Sequence, residues 1–121
     1  MAYFGRIAGI GRTKNEEPAV LYAVSGRSEA SKARKAALYP TRVHIGPLDG
    51  GDNDPLRHYD AIKVFYLQVA VTSNGRHTGG IAKSFYDWWE PEHIQAVLNR
   101  WGAEKDPPIF TPRIAGVYAL K

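Results

Sequence analysis

Residues 72–80, TSNGRHTGG, stand where an apolar, β-branched run gives way to a helical pattern. Asn74-Gly75 is a turn signal, because both residues tolerate the backbone angles of a tight reversal. Upstream, DAIKVFYLQVAVTS (60–73) reads as two strands with a turn near Tyr66-Leu67-Gln68. Downstream, Ile81, Ala82, Phe85, Trp88 and Trp89 recur at spacings of three and four, which predicts an apolar stripe along a helix. Pro91 opens a second helical segment, with Ile94, Val97, Leu98 and Trp101 on one face and Gly102 as its C-terminal cap. TPRIAGVYAL (111–120) reads as a last strand.

The chain begins with a predicted hairpin, Tyr3 to Ile10 and Ala19 to Val24, around the polar loop GRTKNEEP (11–18). Residues 28–38, SEASKARKAAL, have helix-forming composition, with a structured loop as the alternative for so short a stretch; TRVHIGP (41–47) reads as a strand and LDGGDNDP (48–55) as a loop. Strands, then helices, then a strand is the order of an α+β layered domain. At 121 residues the chain is long enough for one domain with a real core.

Sixteen Lys and Arg against twelve Asp and Glu leave a net charge of +4, which favours anionic partners. A small basic nucleic-acid-binding domain is one reading of that surplus. The aromatics argue against it, because Phe85, Trp88, Trp89 and Trp101 fall on apolar helix faces and not in a basic-aromatic stripe. With no cysteine, disulfides, thiolate catalysis and Cys-based metal sites are excluded. The four histidines, His44, His58, His77 and His93, lack HxxxH spacing, and no P-loop or dinucleotide-binding glycine pattern occurs, so neither metal nor cofactor is expected. No apolar run approaches the ~20 residues of a membrane span, and a cytoplasmic location is expected.

Three stretches could carry chemistry. In SNGRHTGG the glycines let backbone N–H groups approach a ligand, and the helix that follows favours an anion; a plain turn with Thr78 as cap is the alternative. VSGRS (24–28) places Arg27 between small and hydroxyl residues at a strand end, which suits a phosphate. AEKDPPIFTPRIAG (103–116) carries Glu104, which could act as acid or base if partly buried.

YFGRIAGIGR (3–12), YAVSGRS (22–28), SNGRHT (73–78) and EKD with TPRIAG (104–106 and 111–116), in that order, resemble the archaeal-type IMP cyclohydrolase family. The resemblance implies the layered αββα fold of the N-terminal nucleophile hydrolases, without a terminal nucleophile; Met1-Ala2-Tyr3 offers no Ser, Thr or Cys for one. It also implies closure of the purine ring, converting a formamido-imidazole-carboxamide ribotide to IMP with loss of water. On that reading Tyr59 and Glu104 are catalytic, Arg27 and Ser28 take the 5′-phosphate, and Arg113 holds the phosphate or the carboxamide. Asn74, Gly75 and His77 line the base or the closing amides. Gly26 stands where the family pattern has a second serine, and Gly79 where it has Asp. Family members are longer, and the apolar RIAGVYAL predicts a homo-oligomer or a second chain that completes the sandwich. A catalytically silent nucleotide-binding or regulatory module is the rival to an enzyme.

Overall fold

A computed structural model of the chain describes residues 5–48, 54–65, 68–84 and 90–119. The polar break at 13–17 folds the first strand pair: β1 (Arg6–Arg12) runs antiparallel to β2 (Pro18–Val24), with Arg12 opposite Pro18 and Arg6 opposite Val24. Pro18 therefore starts a strand, a position where its missing N–H breaks no ladder. Tyr3 and Phe4 of the predicted hairpin lie outside the described residues.

The helical reading of residues 28–38 is corrected. Only a single turn forms, α1 (Glu29–Lys32), capped by Ser28, whose Oγ accepts from Ser31 N at 3.0 Å. Residues after it form β3 (Arg34–Tyr39), paired antiparallel with β4 (Arg42–Pro47) so that Ala37 faces His44. Strand pairing overrides the helix propensity of Ala, Lys and Arg there. Then come β5 (Tyr59–Phe65), β6 (Val69–Ser73) and β7 (Ala115–Ala119), giving an antiparallel sheet in the order β3-β4-β5-β6-β7. Gln68 N donates to Phe65 O at 2.9 Å across the β5–β6 turn; Tyr66 and Leu67 lie outside the described residues.

Successive strand residues point to opposite faces, and β6 shows what covers each. Val71 packs with Ile81 and Ala82 of α2 (His77–Ser84) and Val97 of α3 (Pro91–Trp101). Its neighbour Thr72 donates to Leu21 O of the hairpin at 3.0 Å. Helices, five-stranded sheet and hairpin are thus three stacked layers of an α+β fold. Pro91 begins α3 as expected, and Gly102 ends it with φ +64° and its N–H on Leu98 O at 2.9 Å. Phe85, Trp88 and Trp89 of the predicted stripe lie outside the described residues.

One irregularity decides where the chemistry goes. Val43 faces Ile62 but His44 faces Asp60, so Ala61 has no partner and the strand carries a bulge. The alternation resets there. Tyr59 turns toward the hairpin, where it packs with Ile45, Ala61 and Tyr22, while Asp60 joins Lys63 on the helical face.

Ile81 is fully buried and Leu38 is 81% exposed. Ile81→Ala should lower unfolding free energy by about 2–5 kcal/mol in chemical denaturation, whereas Leu38→Ala should change it by no more than about 0.5 kcal/mol.

Candidate active site

The turn after β6 folds its polar side chains inward. Ser73, Asn74, His77 and Thr78 are all at most 1% exposed, and of its side chains only that of Arg76 reaches solvent. The Ser73 and Thr78 hydroxyls hydrogen-bond each other and lie 3.2 and 2.9 Å from Gly75 O, so one proton joins the pair and the other goes to the carbonyl. Asn74 braces the segment before β7: its Nδ2 donates to Pro112 O and its Oδ1 accepts from Ile114 N, each at 2.9 Å. That brace is why residues 111–114 are not strand and β7 begins only at Ala115.

At the centre lies Glu104, 1% exposed. Its Oε1 accepts from Arg6 Nη1 at 2.5 Å and lies 3.5 Å from Arg113 Nη1, while Oε2 has no hydrogen-bond partner among the described residues. Burial raises the Glu104 pKa above the usual carboxylate value, against the pull of Arg6 and Arg113. Arg6 also donates to Asn74 O and Leu56 O, both at 3.1 Å, and Arg113 donates through Nε to Gly102 O at 3.1 Å with its guanidinium 5.2 Å from the Trp101 ring centre. Gly75 makes the crowding possible. A Cβ there would sit 2.6 Å from Arg113 Nη1, 3.2 Å from His77 Nδ1 and 3.4 Å from Glu104 Oε1, so the three groups converge on its missing side chain.

His77 donates from Nε2 to Ile114 O at 3.0 Å, which leaves Nδ1 as an unpartnered acceptor. Burial lowers its pKa to about 4, and the nearby Arg113 and Arg6 charges add to that. The ring is neutral at ordinary pH.

Tyr59, 2% exposed, shares a 2.5 Å hydrogen bond with the Tyr22 hydroxyl, and its ring lies 5.8 Å beneath the Arg6 guanidinium. Burial and the facing Tyr59 push Tyr22 far above the ordinary phenol value, so Tyr22 stays protonated. Beside this array opens a cleft of about 410 Å³ lined by Arg6, Arg27, Asn74, Ile109, Thr111 and Ile114, among others. Among the described residues no group of three His, Cys, Asp or Glu is arranged to hold a metal ion. None of their helices is long and apolar enough to cross a membrane.

The pattern of the family described as IMP cyclohydrolase-like protein matches residues 3–121. The chain belongs to that family. It is 34% identical to the IMP cyclohydrolase of Methanocaldococcus jannaschii over 117 residues, covering 95% of this chain and 56% of that protein. It therefore spans little more than half the length of that relative.

Of the residues the family resemblance singles out, Glu104, Gly75, His77 and Arg113 meet around one point, and Tyr59 joins them through Arg6. Arg27 and Asn74 line the cleft, while Ser28 is exposed and engaged as the α1 cap. The serine expected at position 26 cannot fit, because a Cβ on Gly26 would meet the Ser31 carbonyl carbon at 2.5 Å. Arg6 and Tyr22 carry as much of the array as the expected residues do. The sequence held one signal for Arg6: a charge among the apolar residues at the start of β1, on the strand face it shares with the half-buried Ala8.

A His whose folded pKa is depressed contributes stability that is complete above its unfolded value of 6.5 and is lost as pH falls toward about 4. The difference integrates to about 3 kcal/mol. Glu104, whose burial raises its pKa, gives the opposite slope, and that term is common to wild type and a His77→Gln variant. Denaturation curves between pH 6.5 and 4 should therefore show wild type losing about 3 kcal/mol more than His77→Gln.

Proposed function

We propose that this chain carries the binding and proton-transfer groups of a cyclohydrolase that closes formamido-imidazole-carboxamide ribotide to IMP. The supporting observation is Glu104: a buried carboxylate of raised proton affinity, fixed by Arg6 and Arg113 with one oxygen unpartnered, in one array with the Tyr59 hydroxyl beside a cleft. Ring closure joins the carboxamide nitrogen to the formyl carbon. The formyl oxygen then departs as water, with one hydrogen from the carboxamide and one from the formamido nitrogen. Nothing covalent to the protein is required, so holding the two arms together supplies much of the rate. Glu104 Oε2 takes the proton from the attacking nitrogen, and Tyr59 donates toward the departing oxygen. Arg6, lying between them, stabilises negative charge developing on that oxygen. Tyr22, held protonated, orients the Tyr59 hydroxyl.

Arg27 takes the 5′-phosphate at the cleft mouth, since its guanidinium offers paired donors to an oxyanion. Ser28 supports it from the α1 cap. Asn74, Gly75 and His77 shape the wall against the base, with His77 Nδ1 as an acceptor and not a cation. The αββα sandwich belongs to the same proposal. The outer hairpin face exposes Ile7 (48%) and Leu21 (54%), an apolar surface suited to a further layer from a second copy or a second polypeptide.

Formation of IMP followed by its ultraviolet absorbance tests this directly. Tyr59→Phe and Glu104→Gln should each lower kcat by about 10²–10⁴, or roughly 3–5 kcal/mol, with substrate affinity little changed. If KM rises while kcat holds, the two groups only shape the pocket. Arg27→Ala should weaken ribotide binding by about 1.5–3 kcal/mol in calorimetry and leave nucleoside binding intact. Equal losses for nucleoside and nucleotide would remove Arg27 from the phosphate site.

A further inference from the structure

The helical face of the sheet holds a second polar pocket, turned away from the cleft. Because of the bulge in β5, Asp60 and Lys63 point to this face, where β4 adds Arg42 and His44. Arg76, the exposed residue of the turn before α2, and Gly79 close the other side around a space of about 250 Å³. The pocket borders Tyr59, whose hydroxyl is directed to the hairpin side.

Its charges do not balance. Asp60 is the one carboxylate among the described residues lining it, and both its oxygens are engaged: Oδ1 by His44 Nδ1 at 2.8 Å and Arg42 Nη1 at 3.2 Å, Oδ2 by Lys63 Nζ at 3.6 Å. The Arg76 side chain makes no hydrogen bond or ion pair among the described residues. Three permanent cations thus face one spent carboxylate. A Cβ on Gly79 would touch only Lys63 Nζ, at 3.7 Å, so the glycine leaves the space before Lys63 open.

We infer that this pocket is a second anion site, taking a phosphate or diphosphate group through Arg42, Lys63 and Arg76, independent of the cleft that holds Arg27. Two guanidiniums and an ammonium around an opening of this size match the several oxygens of such a group, since Arg offers paired donors and Lys a point charge. Asp60 and His44 hold Arg42 and Lys63 apart, so the donors are placed before the anion arrives. Arg76 is free to swing onto it.

Calorimetric titration of the whole chain with inorganic pyrophosphate, and separately with ADP, tests the assignment. Arg76→Ala and Arg42→Ala should each weaken binding about tenfold or more. Gly79→Asp, whose Cβ meets only Lys63 Nζ, brings a carboxylate to Lys63 and should abolish binding in the pocket, while in Arg27→Ala, which removes the cleft's phosphate ligand, the Arg76-dependent pyrophosphate binding should persist. Pyrophosphate binding at least as tight as ADP assigns the site to free phosphate compounds; tighter ADP binding assigns it to the tail of a nucleotide. Circular dichroism checks that each variant is folded; the exposed, unpaired Arg76 makes Arg76→Ala the safest. Binding that survives Arg76→Ala and Gly79→Asp but is lost in Arg27→Ala would overturn the inference, because the anion would then occupy the cleft. Absence of any measurable pyrophosphate or ADP binding to wild type would overturn it equally.

Discussion

The Glu104 carboxylate, held between Arg6 and Arg113, is the constraint around which the rest is arranged. A buried charge is costly unless paired, and these two guanidiniums arrive from opposite ends of the chain. Arg6 opens β1, and Arg113 precedes β7. The loop between α3 and β7 is closed onto them by Glu104 N donating to Thr111 O at 2.9 Å and by Asp106, which accepts from Thr111 N at 2.7 Å and from its hydroxyl. Removing Arg6 would leave the buried carboxylate only the longer 3.5 Å approach of Arg113, so the hairpin, the turn after β6 and the loop 103–114 depend on one another. A site built this way has its groups placed before any ligand binds, which suits the proposed ring closure, where two amide arms must be brought together.

The second organising feature is the bulge at Ala61. Without it, residues 59–65 would alternate regularly, and a Tyr59 turned to the hairpin would require Lys63 on the same face. One extra residue separates the two, sending the phenol to Tyr22 and Arg6 and the ammonium to Asp60 and Gly79. Each face of the sheet then carries its own polar chemistry above an apolar strand core, a use to which bulges beside functional sites are commonly put.

Much of this was legible in the residues. The β5–β6 pair, the turn at Asn74-Gly75, Pro91 and Gly102 as the ends of α3, and the strand at β7 follow from period and punctuation, signals that are local in the chain. The family was legible from four short motifs in order. What failed was non-local. Residues 34–39 look helical because Ala, Lys and Arg favour helices, yet their place beside β4 is settled by a partner several residues on. That the Ser73, Asn74 and Thr78 side chains reach backbone carbonyls and so brace the turn follows from burial, which the local pattern does not display. Tyr22 sits in an ordinary apolar strand, and only the three-dimensional meeting with Tyr59 gives it a role. The bulge leaves no trace in composition at all.

The same lesson applies to charge. A surplus of four suggests a diffuse attraction for anions. The structure uses most of the informative cations at particular atoms: Arg6 and Arg113 on Glu104, Arg42 and Lys63 on Asp60. Arg34 is spent on backbone carbonyls, donating to Arg57 O at 3.1 Å and to Ser31 O, and so fixes the end of the segment that presents Arg27. What remains to meet a ligand is a short set of guanidiniums and amines already held in place by acids and carbonyls behind them. Selectivity for an anion then depends on whether its oxygens match those fixed donors, and the net charge contributes mainly to how fast the anion arrives.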